Sequence, residues 1–149
     1  MLPISRALDL NKNIRNVEIE IDTFTVWSFA LLRLGKLDDA MQHAMKTFKL
    51  ARDAGDRLEE GKALSMMGLI ALEQKEPRLA HNYLKEAVSI ARELKNLELE
   101  AKALNNLAIS ASYVQGDFAA ARDYYEMAYN INLCLLLLYF LDSFCSLLS

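Results

Sequence analysis

Glycine and proline are scarce, at 5 and 2 in 149 residues. So little punctuation leaves room only for long elements, and the abundance of Leu, Ala, Glu and Lys makes those elements helices. Cysteine and histidine are equally thin, with 2 of each. Cys134 and Cys145 have ten residues between them and no His companion. That spacing suits neither a zinc site nor a disulfide framework, and it points to a reducing, cytoplasmic setting. His43 and His81 are far apart, with no Cys or carboxylate pair beside either. They read as ordinary inter-helix histidines, so no metal, no cofactor and no catalytic pair is expected. A net charge of −3 without a basic stripe argues against nucleic acid as a partner. The opening residues lack the apolar run of a secretory signal. Positive charge is missing from the C-terminal end: all 17 Lys and Arg stand at or before Arg122, and beyond Asp123 only Glu126 and Asp142 are charged.

Apolar residues make up 53% of the chain and charged residues 25%, the proportions of a soluble globular domain. The chain is long enough for one core and too short for two. Its main signal is self-similarity. With a shift of 40 residues (59 to 99), Glu59-Glu-Gly-Lys-Ala-Leu-Ser-Met-Met-Gly68 aligns with Leu99-Glu-Ala-Lys-Ala-Leu-Asn-Asn-Leu-Ala108. Likewise Leu50-Ala-Arg-Asp-Ala-Gly-Asp56 aligns with Ile90-Ala-Arg-Glu-Leu-Lys-Asn96. Small residues recur at Ala40 and Ala80, and at Ala121 after one inserted residue.

Within a unit, Leu64, Met67, Gly68 and Ala71 sit at i, i+3, i+4 and i+7, one face of a helix. Leu79, Ala80, Tyr83, Leu84, Ala87 and Ile90 mark the facing stripe of a second helix that begins at Pro77. Gly68 and Ala80 let the pair approach closely, with Met67 and Leu84 filling the gap. Each unit is then an antiparallel helix pair that must stack on a neighbour to bury its faces. The expected architecture is all-α, a right-handed helical-repeat solenoid of antiparallel helix pairs. The units are placed at 18–56, 57–96 and 97–132, after a partial repeat at 1–17 and before an apolar tail at 133–149.

These residues resemble the tetratricopeptide repeat family. Leu107, Ala108, Gly116-Asp117-Phe118, Ala121, Tyr125 and Ala128 match its defining positions in the third unit. Trp27, Gly35, Leu37 and Ala40 match in the first, and Met67, Gly68, Ala80 and Ala87 in the second. With its longer period and Ala-Arg-x-x-Gly-Asp linker, the chain is similar to the subclass of Partner-of-Inscuteable-type spindle-orientation scaffolds, and more loosely to kinesin light chains and rapsyn. The resemblance implies a packing role for Tyr125. It also implies a concave face lined by the first helix of each pair, with Asp22, Thr25, Phe29 and Leu32 exposed there, then Lys62, Ser65, Leu69 and Leu72, then Lys102, Asn105, Ile109 and Ser112. Phe29, Leu69 and Ile109 would form an apolar row of anchors, with Lys62 and Lys102 on its rim steering acidic partners, able to take a protein or peptide partner. The carboxylate clamp of chaperone-binding members is absent, since Thr25, Ser65, Phe29 and Leu69 stand at its places. Asn105-Asn106 partly resembles the Asn-rich first helices of the spindle-orientation group.

No enzyme is expected. Gly55-Asp-Arg-Leu-Glu-Glu-Gly61-Lys62-Ala63 fails as a phosphate loop in spacing, in its final residue and in following a helix. Asp38-Asp39, Glu59-Glu60 and Glu98/Glu100 fall near helix starts, where negative charge favours the exposed N–H groups.

Both ends depart from the pattern. Ala7, Leu10, Ile14, Asn16, Glu18 and Glu20 align with Ala87, Ile90, Leu94, Asn96, Glu98 and Glu100, so residues 4–16 read as the end of a second helix. At the other end, Leu133-Cys-Leu-Leu-Leu-Leu-Tyr-Phe-Leu141 stands where a polar linker is due. Burying Leu133 and Leu135–Leu138 represents roughly 8–15 kcal/mol, as much as a whole domain's stability of about 5–15 kcal/mol. Nine residues make about 13 Å of helix against a bilayer core of about 30 Å, and Asp142 follows without a basic flank. The sequence therefore argues against a membrane; residues 133–149 either extend the last helix and pack over the end of the stack or into the groove, or mediate self-association. The reading is a protein-binding adaptor. The alternatives are a docking segment of a larger cytoskeletal or ciliary assembly, a product of a longer repeat protein, and a membrane-tethered form.

Overall fold

The computed structural model describes residues 4–114 and 117–148, with side chains for 15–113, 117–144 and 146. Gly116 of the Gly-Asp-Phe motif and the Cys145 side chain lie outside the described residues. Six helices follow one another: α1 (Ile4–Arg33), α2 (Leu37–Ala54), α3 (Arg57–Glu73), α4 (Pro77–Glu93), α5 (Leu97–Val114) and α6 (Phe118–Leu148). Each packs on the next along the chain, and in addition α3 touches α5 and α1 touches α3.

Four of the connections use one device. The N–H of Gly35 donates to the Leu32 carbonyl (3.1 Å) and that of Lys36 to the Leu31 carbonyl (2.9 Å). The same two bonds recur at Gly55/Asp56, Lys75/Glu76 and Lys95/Asn96. This double bond to the last turn needs a left-handed residue, and φ is 73° at Gly35, 72° at Gly55, 64° at Lys75 and 53° at Lys95. Chain reversal thus falls on two glycines and two strained lysines. The next residue starts the following helix. Asp56, Asn96 and Asp117 accept from the backbone N–H three residues on (3.0, 2.9 and 2.9 Å), satisfying a donor that the helix leaves open.

Small residues set the helix separations. A Cβ on Gly68 would lie 2.5 Å from Leu84 Cγ, so α3 and α4 meet at a distance only glycine permits. At the equivalent place in α1, Ser28 is fully buried and donates its hydroxyl to the Ala40 carbonyl of α2 (3.0 Å). One core joins Leu64, Leu84, Val88, Ile90, Leu104 and Leu107 from α3, α4 and α5, with Ala128 of α6 against them. A second joins Leu31, Ala40, Ala44, Met67 and Ile70. Ion pairs stitch helices at the surface: Arg57 reaches Glu60 and Glu93 (both 2.8 Å), and Arg92 reaches Glu100 (2.6 Å).

The ends differ from expectation. No turn falls between residues 17 and 18; α1 runs through that boundary. Nor is there a boundary at 132/133, because α6 carries the apolar tail as one continuous helix. Helix is the low-cost conformation for an uninterrupted Leu-rich run with no Gly or Pro. Among the described residues that helix touches α5 and no other helix, and Leu136 through Phe144 stand exposed. Tyr125 is corrected as well: it is 46% exposed, while Tyr124 is the tyrosine that packs against the core. The position is a packing one only where a further helix pair covers it, and none does among the described residues.

Candidate functional site

The helix contacts decide which face is concave. First helices α1, α3 and α5 touch across the repeats, whereas second helices α2, α4 and α6 do not touch one another. A stack crowded on one side and splayed on the other curves toward the crowded side, so α1, α3 and α5 line the inner face.

A cleft of about 370 Å³ opens on that face between α3 and α5. Lys62, Ser65, Met66 and Leu69 form one wall, and Leu99, Lys102, Asn105 and Asn106 the other. Met66, Leu69 and Leu99 make it apolar. Asn105 and Asn106 are half-buried, and neither amide has a hydrogen-bond partner among the described residues. Two unengaged amides in an apolar cleft can pair with the N–H and C=O groups of an incoming backbone. The two lysines are not bare charges. Lys62 Nζ donates to Glu59 (2.6 Å) and Lys102 Nζ to Glu98 (2.7 Å). The Lys102 hydrogen bond and charge hold the Glu98 carboxyl below its usual range. Each lysine carries its own counter-charge, so the rim is close to neutral and long-range attraction of acidic partners is weak.

Five of the twelve residues expected on this face are brought together in the cleft: Lys62, Ser65, Leu69, Lys102 and Asn105. Thr25 lies in a smaller recess of about 90 Å³ shared with Ser28, Lys62 and Met66, its hydroxyl donating to the Ile21 carbonyl (2.8 Å). Leu32 and Leu72 turn inward and pack against the two cores, because each sits one residue before its helix ends, where the chain turns back into the partner helix. Ile109 and Ser112 stand beyond the cleft, with the Ser112 hydroxyl turned back to the Ile109 carbonyl (2.7 Å). Asp22 and Phe29 are exposed, Phe29 at 52%, and neither lines the α3–α5 cleft. Of the row Phe29, Leu69 and Ile109, only Leu69 lines the cleft. Met66, Leu99 and Asn106 were missed. They are legible in retrospect as the edges facing the neighbouring helix: Lys62, Met66 and Leu69 at i, i+4 and i+7, and Leu99, Lys102 and Asn106 at i, i+3 and i+7.

The histidines lie between helices. His81 Nδ1 is 3.1 Å from Ser110 Oγ across α4 and α5, and burial, with nearby Lys85, lowers its pKa. His43 sits 5.5 Å from the Phe24 ring and 5.9 Å from the Trp27 ring, its buried Nδ1 without a hydrogen-bond partner.

Residues 22–93 match the tetratricopeptide repeat family model. The crystal structure of the tetratricopeptide-repeat domain of Arabidopsis FLU superposes with a TM-score of 0.72 at 20% identity, over 76% of this chain and 95% of that domain. The fold is a tetratricopeptide-repeat solenoid. No curated protein matches the sequence. The α3–α5 cleft lies between the first helices of two successive helix pairs.

Proposed function

We propose that the protein is an adaptor that holds an extended peptide segment in the α3–α5 cleft, with Leu69 as the apolar anchor and Asn105 and Asn106 as the backbone readers. The observation that carries this reading is the pair of unengaged amides set beside an apolar floor. An extended strand offers alternating side chains and a backbone donor or acceptor at each step, which is what such a cleft can satisfy. Because Lys62 and Lys102 are already paired, selectivity comes from shape and backbone contacts more than from charge. The cytoplasmic setting, the kinship with spindle-orientation scaffolds and the exclusion of nucleic acid belong to this same reading. The test is selection of binders from a displayed random peptide library, followed by affinity measurements. Leu69→Glu should abolish binding, and Asn105→Ala with Asn106→Ala should weaken it at least tenfold, with helicity unchanged. Unaltered affinity in both variants would reject the cleft.

A second reading concerns α6. Its window Phe118–Phe144 is long and apolar enough to cross a membrane by length and composition, with mean hydropathy 1.4 and 6% of the window buried. Inserting the whole of that span would peel Ala121, Tyr124, Ala128 and Ile131 away from the stack, where they pack. Self-association through residues 133–149 leaves those contacts intact and is the favoured use of the tail. Sedimentation of the chain with and without those residues tests it: a monomer in both cases rejects it, and flotation with neutral lipid vesicles would put the membrane-tethered form in its place. The rival view, a docking segment of a larger cytoskeletal or ciliary assembly, predicts no selected peptide at the cleft at all.

A further inference from the structure

The first helices of the three repeats can be compared position by position. Trp27 stands where α3 has Met67 and α5 has Leu107. Met67 is 3% exposed and Leu107 2%, but Trp27 is 56% exposed. Ala30 and Thr23 are exposed as well, where Ile70, Ser110, Ala63 and Ala103 are buried. The reason is what lies on the preceding side. Second helix α2 covers α3 and α4 covers α5, Leu84 and Val88 sharing a core with Leu104 and Leu107. Among the described elements α1 touches only α2 and α3. Its preceding side is an uncovered aromatic edge of Phe24 and Trp27, with the orphaned Nδ1 of His43 between α1 and α2 beside them.

The chain immediately before this edge carries the sequence of the element that covers the equivalent edges. Ile4, Ala7, Leu8 and Leu10 align with Leu84, Ala87, Val88 and Ile90. The turn is also encoded. Arg15-Asn16 aligns with Lys95-Asn96 and with Gly55-Asp56. In both of those pairs the first residue is left-handed and the second caps the next helix through its side-chain oxygen. In the structure α1 passes straight through Arg15 and Asn16. Its segment Leu10-Asn11-Lys12-Asn13-Ile14-Arg15-Asn16 places three asparagines in a helix interior. Asparagine is a poor interior residue there and a good cap, because its side chain competes for the backbone.

We infer that α1 is a two-state element: it breaks at Ile14–Asn16 into the turn used at Leu94–Asn96, and residues 4–13 fold back as a second helix over Phe24 and Trp27 of the same chain. The straight and folded forms use the same backbone hydrogen bonds apart from one turn. They differ in whether the Trp27 edge is bare. Folding back closes that side of the solenoid, and straightening offers the Phe24–Trp27 edge to whatever else could cover it.

Trp27 is the single tryptophan, so its fluorescence reports the edge directly. In the full chain, Trp27 should show blue-shifted emission and acrylamide quenching several-fold slower than in Leu8→Asp, which spoils the covering face. Arg15→Gly, which eases the left-handed turn, should slow quenching further. Arg15→Ala with Asn16→Ala, which favours straight helix, should speed it, all at unchanged helicity by circular dichroism. Equal quenching in the wild type, Leu8→Asp and Arg15→Gly would overturn the inference. So would protection that disappears on dilution together with a sedimenting dimer, since residues 4–13 of a second copy would then be the cover.

Discussion

Helices α4 and α6 are the second helices of consecutive repeats, and they meet opposite fates. In α4 a single stripe of Ala80, Leu84, Ala87, Val88, Ile90 and Ala91 is buried and the rest of the surface is polar. Among the described residues of α6 only Ala121 and Ala128 are buried. Leu84 is wholly covered, while its counterpart Tyr125 is nearly half exposed. The local chemistry of the two positions is similar. The neighbours are not: α4 is held between α3 and α5, whereas among the described elements α6 touches α5 alone. In a repeat stack the burial of a side chain is decided by whether the next unit exists, so one motif position can be core in one repeat and surface in another.

The widest gap between the two helices should appear on truncation. Leu84→Ala is expected to cost about 2–5 kcal/mol, the range for deleting a buried leucine. Tyr125→Ala should cost about 1 kcal/mol or less, since half its surface is already in water. Urea unfolding followed by circular dichroism measures both, and equal losses would break the comparison. Glycine sharpens it next. A Cβ at Gly68 meets the branch carbon of Leu84 at 2.5 Å, while one at Gly61 meets only the methyl ends of Ile90 and Leu99 at 3.0 Å. Gly68→Ala should therefore destabilise by about 1–2 kcal/mol, the overpacking cost less the helix-propensity gain. Gly61→Ala should be close to neutral in the same assay.

Smaller effects belong to the turns and to titration. Lys75 and Lys95 hold the left-handed place that Gly35 and Gly55 fill elsewhere. Lys75→Gly and Lys95→Gly should each stabilise by about 0.5–1 kcal/mol, the relief of backbone strain less the extra freedom of an unfolded glycine. Gly55→Lys should act in the reverse sense. Burial, with Lys85 nearby, lowers the pKa of His81. Its folded pKa lies below the unfolded value, so the unfolded chain takes up the proton first as pH falls. Its contribution is complete above about pH 6.5 and is lost as pH drops below that value. The unfolding midpoint should decline between about pH 7.5 and pH 5.5, and less steeply in His81→Gln; identical slopes would exclude this group as the cause.

Much of this structure was legible from residue order. The helix pairs around Leu64–Ala71 and Leu79–Ile90 follow from 3.6-residue periodicity, and the close approach at Gly68 from its place opposite Leu84. Five cleft residues were also legible, because the exposed positions of a first helix can be counted from its buried ones. Leu32, Leu72 and Tyr125 were misplaced for the converse reason. Their local spacing is right, and their environment depends on how the neighbouring helices pack against them. The neutrality of the rim was within reach and was missed, since Glu59/Lys62 and Glu98/Lys102 stand three and four residues apart on helices.

Residue order alone determined that this chain is helical, that it repeats, and where each pair turns, because periodicity, small-residue placement and capping act within a few residues of one another. Tertiary structure decided which repeats have covered faces, which of the twelve candidate positions converge on a cleft, and that the apolar tail continues α6 away from the stack. Those outcomes depend on which helix lies alongside which, and a helix carries no record of its neighbour in its own period.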